Sequence, residues 1–452
     1  MARAFLYHVY DDPLFNSLAP LAAASIPVIP VGGGAKVPRQ MYSLKRDLAQ
    51  MRTVGAGKTC QGTPIVDASV TQVGQSSEGR DLLAIKVGVG SQKVVILGCH
   101  HAREWISVEM AYYIAEYLIN NYTDTPSTPK EKRIKHLLMN RQIWFVPMVN
   151  PDGHTITINS NRDWRQNNAS HAVPDGSVTR SSGVVSWKAG TYTGVDINRN
   201  YATRVAQTPG GSGSYMAWGT ETFHNDGVTP ATSRDPRDSK VSRQIWCGPS
   251  AASEPETQAI QSLVGGGGAA SPSPAPTPLP APSATPAPTP APGGGGVRST
   301  ISFHNYGEQW LWPGPLTSGS DSPFVDWVGN GAVAAMGTAG IAYKFTGGPD
   351  PYLVSGDMID FVFETAPGWR PAYTPEVRPA NSDPSDWAFS GLPESQIQPC
   401  FQENLAATLA VINCAGFNAQ SSSVSLTTSS ASPAQPCQFV RNCWEVFKGW
   451  TP

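Results

Sequence analysis

Two adjacent histidines and a glutamate lie near residue 100, where a buried strand is predicted to end and a helix to begin. The string is GCHHAREW at 98–105, which places His101 three residues and His100 four residues before Glu104. An imidazole and a carboxylate at a strand-to-helix turn can converge on one cation, and either histidine has a suitable spacing. Because short patterns of this kind are common, the string alone does not establish a metal site.

Eight further strings follow, and they share polar or charged residues at predicted strand ends and in loops. In chain order they are VPMVNPDG at 146–153, NRDWR at 161–165, GVDINRN at 194–200, CGPSAASEPET at 247–257, SFHNY at 302–306, YLVSG at 352–356, EVR at 376–378 and LPESQI at 392–397. Together with the first string they resemble, in this order, the signatures of the zinc carboxypeptidases related to pancreatic carboxypeptidases A and B. An ordered set is far more specific than any one string. The resemblance runs from about residue 75 to residue 415.

The resemblance implies a zinc site with two histidines and one glutamate. The family pattern has its first ligand immediately before Ala-Arg-Glu, which favours His101 over His100, and His304 of the SFHNY string would be the third ligand. Such a set leaves a fourth position open for water, as a catalytic zinc requires. Asp196 would orient His101 through a hydrogen bond. The expected cofactor is one Zn²⁺ per chain.

Two further residues are implied in catalysis. Glu376 would take a proton from the attacking water and pass it to the leaving amine. Arg165 would face the developing oxyanion. Glu364 is a second candidate for the catalytic carboxylate, but the EVR string and its distance from Tyr352 favour Glu376.

The residues implied in substrate binding predict an exopeptidase. Asn198 and Arg199 would hold the terminal carboxylate of the substrate, because a guanidinium group matches a carboxylate at two points. Tyr352 would close over the terminal residue, and Arg103 would lie in the next subsite.

Ile359 is expected at the floor of the pocket for the terminal side chain, by counting from the YLVSG string. An apolar floor leaves a buried cationic end unpaired, so the predicted substrate ends in an apolar or aromatic residue. Asp357 and Asp360 flank this position, and a shift of one residue in the alignment would reverse the prediction.

Buried strands predicted at 82–87, 94–99 and 142–149 alternate with a helix at 106–120. Another short strand is predicted at 300–304, and apolar residues from Ile397 to Ile412 recur at helical spacing. Continuous apolar strands with intervening helices indicate an α/β fold whose sheet is covered on both faces. The resemblance implies a central mixed, mostly parallel twisted sheet.

Composition changes abruptly at 265–296, where two runs of four glycines flank a segment with proline at nearly every second position. Composition alone favours an interdomain linker. Because the implied zinc ligands lie on both sides of this segment, we predict an insertion within one catalytic domain, 61–416. Residues 1–60 and the cysteine-containing tail 435–452 remain unassigned, and 417–434 is a Ser/Thr-rich linker.

The charge and hydropathy of the chain exclude several classes of partner. A net charge of -2 and a pI near 6.4 give no basic field for nucleic acid or an anionic membrane. No apolar run reaches the roughly 18 residues of a membrane-spanning helix, which predicts a soluble protein. The expected partners are therefore peptide or protein C-termini, and the expected state is a monomer.

The proline-rich segment predicts an extracellular location. Its alternating Ser-Pro, Ala-Pro and Thr-Pro pairs resemble the hydroxyproline-rich, O-glycosylated segments of plant and green-algal wall proteins. Cys437 and Cys443 are close enough along the chain to form a disulfide, which agrees with an oxidising compartment. His8, Asp11 and Asp12 interrupt the N-terminal apolar residues, so no signal peptide is assigned.

Three departures from the family are visible in the sequence. No inhibitory pro-domain is recognisable in residues 1–60, a cysteine pair of the pancreatic members is missing between Asp196 and Trp218, and the loop at 202–245 is long and polar. Two alternative functions remain open. One is a catalytically silent binding module, and the other is a zinc amidohydrolase that acts on acylated amino acids or cell-wall peptides.

Overall fold

The structure is a computed structural model that describes residues 39–203, 218–224, 227–239, 244–265, 296–312, 344–345, 354–365, 372–380 and 393–415. The helices described are α1 (Met41–Ala56), α2 (Trp105–Asn120), α3 (Pro129–Asn140), α4 (Pro151–Asn159), α5 (Pro255–Gly265), α6 (Met358–Thr365) and α7 (Glu394–Cys414), with 3-10 turns at Ile197–Arg199 and Pro236–Ser239. The first strands are β1 (Thr59–Cys60), β2 (Thr63–Pro64), β3 (Gln72–Gln75), β4 (Asp81–Leu83), β5 (Ile85–Val87), β6 (Gln92–Leu97), β7 (Arg141–Val146), β8 (Ser170–Val173) and β9 (Gly176–Arg180). The remaining strands are β10 (Gly183–Trp187), β11 (Gly190–Thr193), β12 (Thr222–Phe223), β13 (Pro230–Thr232), β14 (Ser299–Ser302), β15 (His304–Gly307), β16 (Gln309–Leu311), β17 (Lys344–Phe345) and β18 (Ala372–Ala380).

A central eight-stranded sheet has the order β17-β16-β18-β14-β6-β7-β5, with β15 also paired to β18. Five pairings are parallel, namely β6 with β7, β6 with β14, β14 with β18, β15 with β18 and β16 with β17. β5 pairs antiparallel with β7, and β16 pairs antiparallel with β18. The predicted mixed, mostly parallel sheet is confirmed.

The side chains of β6 show why helices cover both faces of this sheet. Val94 and Ile96 belong to an apolar cluster with residues of α1, α2, α3 and α7, whereas Val95 and Leu97 belong to a second cluster with residues of α5 and α6. All four side chains are fully buried. Alternate residues of a strand point to opposite faces, so a continuous apolar strand requires a layer of helices on each side.

The buried strand predicted at 82–87 is two strands in the structure. β4 pairs with β3, and β5 pairs with β7, so the chain changes partner at Ala84. The backbone N–H of Ala84 donates to the carbonyl of Thr71 at 3.0 Å instead of to a strand of the central sheet. An apolar run alone does not reveal such a change of pairing partner, because its residues are buried whichever strand they pair with.

Helix α1 lies within the segment that the sequence analysis left unassigned. Leu44 and Leu48 are fully buried in the same apolar cluster as α2. Residues 41–56 therefore form part of the folded unit. Among the described residues, no helix is long and apolar enough to cross a membrane.

The two ends of the glycine- and proline-rich segment adjoin each other. The backbone N–H of Val297 donates to the carbonyl of Val264 at 3.0 Å, and these residues lie just after and just before the segment. A chain excursion that leaves and returns at one point does not interrupt the packing of α5 against the sheet. The segment 266–295, the predicted linker 417–434 and the cysteine-containing tail 435–452 lie outside the described residues.

Residues 170–193 form an antiparallel ribbon that the sequence analysis did not identify. β8 pairs with β11 at the base of this ribbon, and β9 pairs with β10 toward its tip. Along the chain the ribbon lies between Arg165 and Asn198, two of the candidate site residues.

Candidate active site

The turn after β6 brings His101 and Glu104 to the carboxyl edge of the sheet. The N–H of Cys99 donates to the hydroxyl of Ser107 at 2.8 Å, and Glu104 occupies the N-cap position of α2. A Cβ at Gly98 would lie 2.4 Å from the carbonyl oxygen of Ser107, so only glycine fits where this turn passes the helix. The tight turn therefore fixes the direction in which both candidate ligands point.

His304 reaches the same edge from β15. It follows β14, which is the parallel neighbour of β6, with Ser302 opposite Leu97 in the register. Since parallel strands end at the same edge, residues about 200 positions apart in the sequence meet there.

His101, Glu104 and His304 form a buried cluster whose candidate ligand atoms all lie within 4.8 Å of one another. The Nδ1 atom of His101 is 2.7 Å from one oxygen of Glu104, and the Nδ1 atom of His304 is 2.8 Å from the other. The two Nδ1 atoms are 3.1 Å apart. Each side chain is less than 5 % exposed.

The protonation states of the two imidazoles suit a metal ion. Burial, followed by the charge of Arg165, lowers the pKa of His101 to about 4. The same two causes lower the pKa of His304 to about 3. Both rings are therefore neutral at pH 7 and keep a lone pair for a cation. Two neutral nitrogens and one carboxylate are the donors that zinc takes in catalytic sites, so these residues fit zinc.

His100 is not part of this cluster, although its ring stacks on that of His304 with the centroids 5.6 Å apart. Its Nε2 atom lies 2.8 Å from the hydroxyl of Tyr201, and its Nδ1 atom lies 2.9 Å from the hydroxyl of Ser302. Both ring nitrogens are thus engaged by hydroxyl groups. The structure brings His101, and not His100, together with Glu104 and His304. Neither Tyr201 nor Ser302 was singled out from the sequence, although both lie beside candidate residues.

Asp196 lies on the opposite side of the His101 ring from Glu104. One carboxylate oxygen is 3.3 Å from Nε2 of His101, and the other accepts a hydrogen bond from Nε of Arg165 at 2.8 Å. Burial by itself raises the pKa of Asp196, but the charge of Arg165, together with that of Arg199, outweighs it and holds the pKa well below its usual range. The ionised carboxylate therefore links the metal cluster to Arg165.

Glu376 lies on the strand beside the third candidate ligand. β15 and β18 are parallel, and His304 stands opposite Glu376 in their register. The Glu376 side chain is half-buried. Glu376 is therefore next to His304 across the two strands, and its role as the general base remains a prediction.

Two candidate arginines flank the cluster. The Nη1 atom of Arg165 lies 3.9 Å from Glu104, and the Nη1 group of Arg103 donates to the carbonyl of Asp163 at 3.1 Å. Burial, and then the charge of Arg165, lowers the pKa of Arg103 to about 10. The Arg103 guanidinium group therefore remains charged at neutral pH.

Asn198 and Arg199 lie on the short 3-10 turn after Asp196. The Asp196 carboxylate accepts a hydrogen bond from the N–H of Asn198 at 3.0 Å, which caps this turn. Nε of Arg199 donates to the carbonyl of Ala231 at 2.9 Å, and the Asn198 side-chain oxygen accepts from the N–H of Met358 at 3.0 Å. Both side chains are buried, so neighbouring backbone fixes them in place.

Helix α6 carries the candidate pocket residues. Ile359 is 3 % exposed and belongs to the apolar cluster that also contains Ile197 and Tyr201. Asp357 accepts a hydrogen bond from the N–H of Asp360 at 2.8 Å, as an N-cap residue does. Burial raises the pKa of Asp357 to about 6.

Two candidate site residues named in the sequence analysis cannot be placed. Tyr352 lies outside the described residues, and the side chain of Glu364 does also. The choice between Glu364 and Glu376 therefore remains a prediction.

Comparison with known proteins identifies the family to which the chain belongs. The family model described as zinc carboxypeptidase matches residues 67–407, well over half of the chain. Carboxypeptidase O of Bos taurus is 25 % identical over 354 residues, which cover 76 % of this chain and 72 % of the relative. An inactive metallocarboxypeptidase, ECM14 of Paracoccidioides brasiliensis, is 38 % identical over 109 residues, which cover 23 % of this chain and 17 % of the relative.

Solved structures show the same fold. Carboxypeptidase A from Helicoverpa armigera matches with a TM-score of 0.55 and 18 % identity, over 89 % of this chain and 80 % of that chain. Bovine thrombin-activatable fibrinolysis inhibitor, solved in complex with tick carboxypeptidase inhibitor, matches with a TM-score of 0.53 and 20 % identity, over 83 % and 95 %. The chain belongs to the zinc carboxypeptidase family, whose members use one zinc, and its His101, Glu104 and His304 form a cluster able to bind it.

Proposed function

We propose that the protein is an active metallocarboxypeptidase that removes single residues from the C-termini of peptides and proteins. The observation that carries the proposal is the convergence of His101, Glu104 and His304, with Glu376 opposite His304 on the neighbouring strand. This arrangement combines a metal site with a separate carboxylate, the two components that peptide hydrolysis by a zinc enzyme needs.

His101, Glu104 and His304 would hold the zinc, which would supply an acidified water molecule and polarise the scissile carbonyl. Glu376 accepts the proton of the attacking water and later gives it to the leaving amine. Arg165, fixed by Asp196 at 2.8 Å, supplies positive charge where the carbonyl oxygen becomes negative.

The preference for a chain end comes from Asn198 and Arg199. The Arg199 guanidinium is held by the carbonyl groups of Ala231 and Asn198, at 2.9 and 2.8 Å. A fixed guanidinium binds a free carboxylate through charge-assisted hydrogen bonds, and an internal peptide bond offers no such group. In the proposal Tyr352 closes over the terminal residue and Arg103 contacts the residue before it.

Ile359 makes the pocket for the terminal side chain apolar in this proposal. Its neighbour Asp357 already caps α6, so its carboxylate is engaged by the protein. The preferred substrates end in apolar or aromatic residues, because a cationic end would lose its hydration without gaining a partner. Secretion and a monomeric state are also part of the proposal, and secretion rests on the proline-rich segment and on the cysteine pair of the C-terminal tail.

A direct test compares a blocked dipeptide ending in Phe with its C-terminal amide, using protein of measured zinc content. We expect one zinc per chain and hydrolysis of the free acid. Glu376→Gln should lower kcat by about 10²- to 10⁴-fold while zinc stays bound, because the base contacts water and not the metal. The matched control is Glu364→Gln, which should remain active.

Three results would count against the proposal. Zinc binding without hydrolysis would indicate a catalytically silent member, like the relative named inactive. Hydrolysis of acylated amino acids but not of peptides would indicate an amidohydrolase. Loss of activity in Glu364→Gln but not in Glu376→Gln would show that the other carboxylate is the base.

A further inference from the structure

A largely buried ion pair connects the tip half of the ribbon 170–193 to the loop before β12. Arg180, the last residue of β9, donates from Nε and Nη2 to the two carboxylate oxygens of Glu221, each at 2.9 Å. The two side chains are only 11 % and 8 % exposed. Two parallel hydrogen bonds to one carboxylate fix the orientation of both groups, and little solvent screens them.

Ser233 is the third member of this contact. Its hydroxyl accepts from Nη2 of Arg180 at 2.9 Å and donates to Glu221 at 3.1 Å. The N–H of Arg234 also donates to Glu221 at 3.0 Å. The pair therefore holds the backbone at residues 233–234 as well as the ribbon.

The backbone immediately before Ser233 holds the residues proposed to bind the substrate. The carbonyl of Ala231 accepts from Nε of Arg199 at 2.9 Å. The hydroxyl of Thr232 accepts from the N–H of Ser355 at 3.0 Å, three residues before the start of α6. One short segment, 231–233, thus contacts the Arg180–Glu221 pair, Arg199 and the residues just before α6. Arg199 is proposed to bind the terminal carboxylate of the substrate, and α6 carries Ile359.

We propose that Arg180 and Glu221 are positioning residues that set the orientation of Arg199 for the terminal carboxylate of the substrate. This inference rests on the proposed function. Neither residue touches the substrate. They act by holding Ser233, and through it the carbonyl of Ala231, in the place where Arg199 donates to it. In this way the ribbon between Arg165 and Asn198 stabilises the position of Arg199.

The test measures binding, so it does not depend on turnover. Calorimetric titration of the zinc-loaded full chain with 3-phenylpropanoate and 3-phenylpropanamide gives the preference for a carboxylate over a neutral amide of the same shape. We expect the unaltered protein to prefer the acid by about 10- to 100-fold, as charge-assisted hydrogen bonds to a fixed guanidinium require.

Arg180→Met keeps most of the apolar stem and removes the guanidinium. The preference for the acid should fall about 3- to 30-fold, with zinc content and affinity for the amide unchanged. Glu221→Gln should have an effect in the same direction, and Arg180→Lys should recover part of the preference because it keeps the charge without the two-point geometry. If Arg180→Met does not fold, the other two variants make the same comparison.

Lys188→Ala is the matched control on the same ribbon. Its ion pair with Asp175 is exposed, with side-chain exposures of 91 % and 62 %, so its removal should leave the preference unchanged. An unaltered protein without a preference for the acid would overturn the proposed function and this inference with it. A protein with that preference, retained in Arg180→Met and Glu221→Gln, would overturn the positioning role alone.

Discussion

Replacing Asp196 by Asn tests whether one carboxylate holds both the candidate zinc ligand His101 and Arg165, the residue proposed to bind the oxyanion. The substitution keeps the size of the side chain and removes its charge. In the structure one oxygen faces Nε2 of His101 at 3.3 Å and the other accepts from Arg165 at 2.8 Å. Both contacts weaken when the carboxylate becomes an amide.

The geometry predicts the size of two effects, one on zinc affinity and one on the free energy of unfolding. Removing a carboxylate that orients a metal-binding histidine lowers metal affinity by about 10- to 100-fold, and we expect an effect of that size for zinc. Breaking a buried ion pair costs about 3–5 kcal/mol because one charge is left uncompensated. The Arg165 side chain is 13 % exposed and also lies 3.9 Å from Glu104, so we expect the loss of unfolding free energy at the lower end of that range.

The assay is competition for zinc between the protein and a chelator of known affinity, together with urea unfolding of the metal-free chain. Asp175→Asn is the control, because the same chemical change at an exposed ion pair should alter neither quantity measurably. Zinc affinity and stability of Asp196→Asn equal to those of the unaltered protein would refute the role assigned to this carboxylate.

Three other outcomes are expected. Excision of 266–295 should keep activity within about tenfold, measured with a blocked dipeptide, since the N–H of Val297 and the carbonyl of Val264 already join the two ends. Ile359→Asp should shift kcat/KM from peptides ending in Phe or Leu toward those ending in Lys or Arg, and an unchanged ranking would exclude Ile359 from the pocket floor. Burial, and next the charge of Glu254, raises the pKa of Glu256 from 4.5 to about 8. Between these two pH values the native state keeps a proton that the unfolded state has lost. The free energy of unfolding therefore falls as pH rises through this range. Glu256→Gln should flatten that fall in urea unfolding at pH 5 and pH 7.5, and an equally steep fall would show that Glu256 is not its source.

The family, the fold class and the metal could be predicted from the sequence because they depend on local strings and on strand periodicity. The apolar run at 94–97 gave the buried strand β6, and its alternating faces account for helices on both sides. The strings around Glu104 and His304 then implied the zinc site.

Contacts between distant side chains could not be predicted in the same way. The hydroxyls of Tyr201 and Ser302 contact both ring nitrogens of His100, and neither contact has a signal in the spacing of the residues. The pair of Arg180 and Glu221 joins residues 41 positions apart, across a ribbon that was not identified from the sequence. Such pairs depend on how loops pack, which hydrophobic periodicity does not report.

The activity proposed for this chain is the removal of residues from peptides one at a time, starting at the C-terminus. Mass spectrometry of a peptide ending in several apolar residues, incubated with the zinc-loaded protein, measures this directly. We predict products shortened by one residue at a time from that end, and an intact peptide with zinc-loaded Glu376→Gln. An intact peptide with the unaltered zinc-loaded protein, or products cut at internal bonds, would contradict the account.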